Sequence, residues 1–218
     1  MLQQPLYKRI LSYLYAVRVA KKSTSTNNSL ELLLYHNQYQ LATHDALYSD
    51  GDVYRPLVLA FDTMGKDLAS VSNVLMLGGG LCSGAHILAK RGYYPDILMI
   101  EHDATIIEWA LGIAAMNEHI NLKAQCADAK EYIQQHNDIK YNLLICDIFN
   151  SRVVPAFVTT QQFLQHCKQL ITPGGYFVLN YIVNNASEWN ALQLTLNTVF
   201  PQCRILSNSI NKIIVAIA

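Results

Sequence analysis

The sequence predicts an α/β protein built on a doubly wound, mostly parallel sheet. Short apolar runs alternate with helical segments from residue 74 to the last strand, a pattern typical of strands buried on both faces. The first run, residues 74–77, stops at three consecutive glycines, Gly78, Gly79 and Gly80, where a strand must turn sharply into a helix. The runs give seven strands in a Rossmann-like arrangement, preceded by a small N-terminal helix and a β-hairpin.

The segment before the glycines is predicted to form a separate N-terminal element. Apolar residues recur at every fourth position between residues 6 and 19, which predicts an amphipathic helix. A polar loop follows at residues 22–29, and the apolar runs 30–35 and 39–48 favour a β-hairpin. We therefore divide the chain into residues 1–65, the helix and small β element, and residues 66–218, the Rossmann-like domain.

The remaining elements follow from apolar runs and helix-start signals. Asp103 is positioned to cap a helix, and Thr159 with Gln162 forms a T-x-x-Q capping box. The later strands are expected at residues 97–100, 122–126, 141–146, 176–181, 204–206 and 213–217, and the helices at 85–91, 104–116, 130–135, 159–170 and 188–199. The link between the last two strands is too short for a crossover helix, so the last strand is expected to run antiparallel.

Composition and charge exclude several classes of function. The 218 residues carry 16 basic and 16 acidic side chains, so no nucleic-acid footprint is expected. No apolar run reaches the roughly 18 residues of a membrane span, and no histidine pair has the spacing of metal ligands. The five cysteines lack a C-x-x-C pair and the N-terminus lacks a signal-peptide pattern, so a cytoplasmic protein with reduced thiols is expected.

The predicted N-terminal helix is basic, because residues 1–22 carry five positive side chains and no acid. A basic amphipathic helix can bind a lipid surface or a protein. We favour packing on its own domain or on a second subunit, which makes a homodimer possible, and we expect no membrane contact.

Four strand ends carry a glycine or an acid. They are the glycine turn, Glu101, Asp128 and Asp147, and the carboxyl ends of parallel strands are where such sheets bind ligands. Glu101 lies 23 residues after Gly78, near the spacing of about 20 at which an acid bonds the ribose hydroxyls of a nucleotide. The pattern predicts a nucleoside site. Steric need alone also places glycine in turns, and a capping role also explains an acid at a strand end.

Several motifs strengthen this prediction. They are VLMLGGG at residues 74–80, MIEHD at 99–103, YNLLICDIFN at 141–150 and LITPGGYFVLNY at 170–181. Together they resemble the spermidine synthase-like (polyamine aminopropyltransferase) family of the S-adenosylmethionine-dependent methyltransferase superfamily. The resemblance implies a sheet of the class I methyltransferase type. It also implies S-adenosylmethionine or decarboxylated S-adenosylmethionine as co-substrate, a small-molecule acceptor and no metal.

The resemblance also implies roles for individual residues. Glu101 would bind the ribose, Asp128 the adenine, and Asp147 would position an amine and accept its proton. The implied site residues are, for the nucleoside, Gly78, Gly79, Gly80, Glu101, Asp128 and Ala129; for catalysis, Asp147; and for the substrate, Tyr54 and Asn150.

Two departures from the family pattern bear on the substrate. Leu81 stands where the family has an acid that contacts the aminopropyl amine, and Asn150 replaces the second acid after the catalytic one. Putrescine is therefore not the expected acceptor, and a less charged amine fits better. We expect a spermidine synthase-like transferase that moves an aminopropyl or a methyl group to a small acceptor. The alternatives are a methyltransferase proper and a non-catalytic protein that retains the fold.

Overall fold

Two sheets organise the protein. The computed structural model describes residues 2–136 and 139–218. A small antiparallel sheet is formed by the N-terminal part of the chain, and a larger mixed sheet by the rest. The larger sheet carries the strand ends that the sequence analysis singled out.

The N-terminal part contains one short helix and four strands. They are α1 (Leu6–Leu11), β1 (Val17–Lys22), β2 (Leu30–Tyr35), β3 (Gln38–Ala42) and β4 (Leu47–Asp50), and the strands are ordered β1-β2-β3-β4. The predicted helix over residues 6–19 is wrong beyond Leu11. Val17 pairs with Leu34 of β2 instead, because strand pairing suits β-branched residues such as Val17 and Val19 better than a helix does.

The predicted hairpin is present as β2 and β3. His36 and Asn37 form its turn with φ of 48° and 59°, the left-handed conformation that two-residue hairpin turns require. The second apolar run, residues 39–48, is divided between β3 and β4. The hairpin is therefore the centre of a four-stranded sheet rather than a separate element.

The predicted doubly wound sheet of seven strands is confirmed. Its strands are β5 (Asn73–Leu77), β6 (Asp96–Glu101), β7 (Asn121–Cys126), β8 (Tyr141–Cys146), β9 (Ile171–Ile182), β10 (Cys203–Asn208) and β11 (Asn211–Ile217). They are ordered β10-β11-β9-β8-β5-β6-β7. The first five are parallel, and β11 runs antiparallel between β9 and β10, as the short link predicted.

Six helices accompany this sheet along the described part of the chain. They are α2 (Arg55–Met64), α3 (Ser83–Lys90), α4 (Ala104–Ala114), α5 (Ala129–Gln135), α6 (Gln161–Gln169) and α7 (Ala186–Val199). The predicted capping box at Thr159 and Gln162 is wrong. Thr160 caps α6 instead, its Oγ1 accepting a hydrogen bond from the Phe163 backbone N–H at 3.3 Å, and a phenylalanine at this third helical position cannot complete a box. Asp103 caps α4 as predicted, accepting from the Thr105 N–H at 2.9 Å.

The core lies on both faces of the large sheet. α2, which the sequence-based division assigns to the N-terminal part, packs with its Leu57 and Phe61 in the core against that sheet. Leu81, directly after the glycines, packs with Trp109 and Ile113 of α4 and with leucines of β2 and β3. This apolar cluster joins the small sheet to the large one.

Candidate active site

The crevice at the carboxyl edge of the large sheet lies where the strand order reverses, between β5 and β8. β6 and β7 continue to one side of β5, and β8 and β9 to the other. Backbone hydrogen bonds tie the strand ends together: Gly78 N–H donates to Ile100, and Asp147 N–H donates to Leu77, both at 2.9 Å. The structure therefore aligns Asp147, Gly78 and Glu101 in that order along one edge, the position at which such sheets bind ligands.

Three successive glycines turn the chain from β5 toward α3. Gly78 has φ +69°, and an added Cβ would lie 2.8 Å from the Asp147 carbonyl oxygen. Gly80 has φ +51° and abuts Ser49, whose Oγ accepts from the Leu81 N–H at 2.7 Å. A Cβ on Gly79 would lie 2.5 Å from the Met99 sulfur. Side chains here would collide with protein atoms, so the turn brings bare backbone to the crevice.

Glu101 ends β6 as a buried carboxylate in the crevice wall. Its Oε1 accepts from the backbone N–H groups of His102 and Asp103, at 2.9 Å and 3.2 Å. The hydrogen bond between Glu101 and the His102 ring raises the pKa of that histidine. Oε2 has no hydrogen-bond partner among the described residues. An acceptor oxygen is therefore free at the place where the sequence predicts a ribose contact.

A cavity of about 350 Å³ lies beside Glu101. Apolar atoms of Ile148, Phe149 and Phe157 line it on one side. The predicted nucleoside residues Gly78, Glu101, Asp128 and Ala129 line it too, as does Asn150. Asn150, for which substrate contact was predicted, thus lies among the residues that were predicted to bind the nucleoside. Asp128 is exposed and caps α5 through the Glu131 N–H, at 3.0 Å.

A loop of the N-terminal part forms another wall of this cavity. Thr26 and Asn27 line it, and Asp103 holds the loop in place. Asp103 Oδ2 accepts from Thr24 Oγ1 at 2.5 Å, Thr26 Oγ1 at 2.7 Å and Asn27 Nδ2 at 2.9 Å. Burial opposes ionisation of this carboxyl, but these hydrogen bonds outweigh it and lower the Asp103 pKa to about 2. Asp103 therefore joins the helix cap of α4 to the loop.

Asp147, at the end of β8, belongs to a hydrogen-bonded group with Asn180 and Tyr54. Asn180 Nδ2 donates to Asp147 Oδ1 at 2.9 Å and to the Tyr54 hydroxyl at 3.1 Å. The Tyr54 hydroxyl is itself 3.5 Å from Asp147 Oδ1. Asn211 Nδ2 on β11 donates to Asn180 Oδ1 at 2.8 Å, which fixes the orientation of that amide.

The surroundings of Asp147 change its proton affinity. Burial raises its pKa to about 7, although the hydrogen bonds from Asn180 and Tyr54 act in the opposite direction. Burial also raises the pKa of the Tyr54 hydroxyl well above its usual value, so it remains protonated. A carboxyl that titrates near neutral pH can accept and release a proton under ordinary conditions.

Asp147 stands between two spaces. It lines a narrow cavity of about 50 Å³ that shares Gly78 and Glu101 with the 350 Å³ cavity beside Glu101. The narrow cavity also shares Tyr48 and Phe149 with an outer cleft of about 400 Å³, which Tyr54 lines. The narrow cavity lined by Asp147 therefore shares lining residues with both larger spaces.

The outer cleft carries charges of both signs. Its lining includes two basic side chains, Arg55 and Arg152, and two acidic ones, Asp45 and Asp50. Asp45 is bound by Ser151 and Thr43, and these hydrogen bonds lower its pKa. The lining charges sum to zero, so the cleft lacks the excess of carboxylates that a dicationic molecule requires.

The sequence analysis missed Asn180 and the loop bound to Asp103. Asn180 gave a usable signal, because it is a polar residue in the otherwise apolar run 176–182 and buried polar groups need partners. The contacts of Thr24, Thr26 and Asn27 with Asp103 span more than 75 residues of sequence and gave none.

Two kinds of structural feature are absent from residues 2–136 and 139–218. No group of three or more His, Cys, Asp or Glu side chains in this part of the chain is placed to hold a metal ion. No helix in it is long and apolar enough to cross a membrane.

The sheet order and the crevice define an α/β protein of the class I methyltransferase fold. A family model described as the spermine/spermidine synthase domain matches residues 60–211, and the chain belongs to that family.

Two curated relatives illustrate the range of the similarity. The polyamine aminopropyltransferase of Vibrio vulnificus is 30% identical over 111 residues, which cover 49% of this chain and 36% of that protein. An eEF1A lysine and N-terminal methyltransferase homolog of Drosophila melanogaster is 26% identical over 147 residues, which cover 63% of this chain and 21% of that protein. The chain thus matches about a third of one relative and a fifth of the other.

Solved structures share the fold. A spermidine synthase in complex with the transition state analogue AdoDATO has a TM-score of 0.69 at 15% identity, covering 92% of this chain and 73% of that one. Human methyltransferase-like protein 13 in complex with SAH has a TM-score of 0.65 at 19% identity, covering 77% of this chain and 82% of that one.

Proposed function

We propose that this protein is a transferase that binds S-adenosylmethionine or its decarboxylated form and alkylates the nitrogen of a small acceptor. The observation that carries the proposal is the position of Asp147. This carboxyl has a pKa raised to about 7 and lines the narrow cavity between the 350 Å³ cavity beside Glu101 and the outer cleft. Family membership and the ligands of the two related structures support it.

In the proposed reaction the nucleoside occupies the 350 Å³ cavity, with its ribose on Glu101 and its adenine beside Asp128 and Ala129. The acceptor enters through the outer cleft. Its amine nitrogen forms a bond to the carbon attached to the sulfonium, and the carbon–sulfur bond breaks with its electron pair going to sulfur. The proton lost by the amine passes to the Asp147 carboxylate.

Proton transfer is the part of the reaction that the protein must supply. An alkylamine with a pKa near 10 is almost wholly protonated at neutral pH and has no lone pair for attack. A base that titrates near pH 7 matches the working pH, which is the condition for efficient general base catalysis. Asn180 and Tyr54 hold Asp147 Oδ1, and we assign them a positioning role.

The acceptor is proposed to be small and to carry at most one positive charge near the reacting nitrogen. The outer cleft has no net charge, and Leu81 lies buried in the apolar cluster below the small sheet. The two carboxylates of the cleft are offset by two arginines, and no acid stands at the Leu81 position. Neither region therefore offers the excess of negative charge that a diamine needs, because an unpaired ammonium group is costly to bury.

The transferred group distinguishes two forms of the proposal. One form is aminopropyl transfer from the decarboxylated nucleoside, and the other is methyl transfer from S-adenosylmethionine. In the family that the chain resembles, an acid at the position of Leu81 contacts the aminopropyl amine. Because Leu81 is not an acid, methyl transfer is favoured. Incubation with each nucleoside and a panel of mono- and diamines, followed by mass spectrometry, separates them. A mass gain of one methyl or one aminopropyl group on a monoamine is expected. Efficient aminopropylation of putrescine contradicts the acceptor proposal.

A further inference from the structure

The two arginines of the outer cleft have no partner of opposite charge. Arg55 begins α2, directly after Tyr54, and Arg152 lies in the tight turn closed by Asn150 and Val153. Neither guanidinium makes a salt bridge or a hydrogen bond to a residue that the structure describes. Both positive charges can therefore pair with a molecule in the cleft.

The two acids of the cleft are held by neutral side chains instead. Asp45 accepts from Thr43 Oγ1 at 3.0 Å and is also bound by the Ser151 hydroxyl. Asp50 Oδ1 accepts from Gln40 Nε2 at 2.6 Å. The charges of the cleft balance in number, but its cations and its anions are not paired with each other.

The turn that carries Arg152 is fixed in the wall of the cleft. Ser151 has φ +58°, a left-handed conformation that residues other than glycine rarely adopt. Its backbone N–H donates to the Tyr48 hydroxyl at 2.8 Å, and Asn184 Nδ2 donates to the Arg152 carbonyl oxygen at 3.0 Å. The surrounding residues therefore hold a strained turn in place, as is common where a chain contacts a ligand.

We propose that the acceptor is an amino acid whose carboxylate binds Arg55 and Arg152 while its amine reaches Asp147. This inference rests on the proposed function, because it names the acceptor of that reaction. A guanidinium matches the two oxygens of a carboxylate with parallel N–H groups. An amino acid brings one charge of each sign and leaves the cleft balanced, whereas a diamine adds two cations beside two arginines that already lack partners.

The carboxylate takes no part in the bond changes. The amine nitrogen forms a bond to the carbon attached to the sulfonium, and the carbon–sulfur bond breaks with its electron pair going to sulfur. The proton passes to Asp147, as in the proposed reaction. The arginines therefore act in binding and in the choice of acceptor.

Matched pairs of acceptors test the proposal on the full-length protein, with S-adenosylmethionine and its decarboxylated form as donors. β-Alanine, γ-aminobutyrate and δ-aminovalerate are compared with propylamine, butylamine and pentylamine, in which a methyl group replaces the carboxylate. We expect kcat/KM to be about ten- to a hundredfold higher for at least one amino acid than for its alkylamine, the gain typical of a charge-assisted contact. Arg55→Gln and Arg152→Gln should each reduce this preference.

Arg204→Gln is the matched control, because Arg204 is an exposed arginine of β10 that lines a different cleft. It should keep the preference of the wild type. Arg152→Glu should move the preference from γ-aminobutyrate toward putrescine, a change that a purely structural role of Arg152 does not produce.

The proposal is overturned if the alkylamines react as well as their amino acids, or if Arg55→Gln and Arg152→Gln both keep the preference. In either case the proposed function stands, because an amine is still alkylated. If no amine or amino acid gains mass, the proposed function fails and this inference fails with it.

Discussion

Asn180 donates one hydrogen bond to Asp147 across two neighbouring strands, with 2.9 Å between Nδ2 and Oδ1. The same amide nitrogen is 3.1 Å from the Tyr54 hydroxyl. Because Asn211 holds the other end of the amide, Asn180 cannot turn without breaking a further bond. One buried side chain therefore orients both the proposed base and the phenol beside it.

The first prediction concerns the proposed base. Asp147→Asn keeps the shape of the side chain and its hydrogen bond from Asn180 but removes the proton acceptor. Turnover should fall about 10²- to 10⁴-fold, while nucleoside affinity stays within about twofold because the ribose and adenine contacts lie elsewhere. Asp62→Asn, on the exposed face of α2, is the control. Undiminished turnover in Asp147→Asn contradicts the assignment.

The second prediction concerns the pH dependence of turnover. Activity should rise with pH through about 7, as Asp147 becomes ionised. Asn180→Leu removes an N–H that stabilises the ionised form, so the midpoint of the rise should move to higher pH. Asn190→Leu, on α7 and exposed, should leave the midpoint unchanged. If Asn180→Leu loses turnover by the same factor at every pH, the role of Asn180 is only structural and the prediction is wrong.

The third prediction is a change in stability at the same residue. The folded-state pKa of Asp147 is raised to about 7 from a usual value of 3.8, so between these values the folded protein binds more protons than the unfolded chain. The contribution of Asp147 to wild-type stability should therefore fall as pH rises from about 4 to about 7. Asp147→Asn removes this loss and should melt at a higher temperature than the wild type at pH 8. The gain should vanish near pH 4, and a difference that does not vary with pH would refute the argument.

The fourth prediction separates two functions of Asp103. Asp103→Ala and Asp128→Ala both remove a helix cap, which typically costs about 0.5–2 kcal/mol. Only Asp103 also holds the loop through Thr24, Thr26 and Asn27. Asp103→Ala should therefore lose more stability than Asp128→Ala and should expose the amides of residues 24–28 to faster hydrogen exchange. Equal losses and unchanged exchange would mean that the loop bonds contribute little.

The crevice was predictable because it depends on local patterns. Glycine after an apolar run, and an acid at the end of the next, place Gly78 and Glu101 at strand ends wherever the strands are parallel. The helix cap predicted at Asp103 likewise depends on a neighbour two residues away, Thr105. Sequence patterns of a few residues therefore predict the strands, the helices and the edge of the sheet at which the strand ends lie.

Contacts between distant segments were not predictable. Residues 17–22 form a strand because β2 supplies hydrogen-bond partners, as in the pairing of Val17 with Leu34. The spacing of apolar residues within the segment cannot predict this pairing. Asn180 meets Asp147 only because β8 and β9 are adjacent, and Leu81 meets Trp109 only because α4 covers the small sheet. Both the environment of the base and the outer cleft depend on such contacts.

Isothermal titration calorimetry of the full-length protein with S-adenosylmethionine, decarboxylated S-adenosylmethionine and methylthioadenosine tests the central claim most directly. The account predicts saturable binding of at least one of them. Glu101→Ala should weaken that binding by about 1.5–3 kcal/mol, the value of a hydrogen bond to a charged group. Glu118→Ala is the control, because Glu118 is an exposed acid that lines none of the three spaces of the crevice, and it should not change the binding. Binding of none of the three at millimolar concentration would contradict the account.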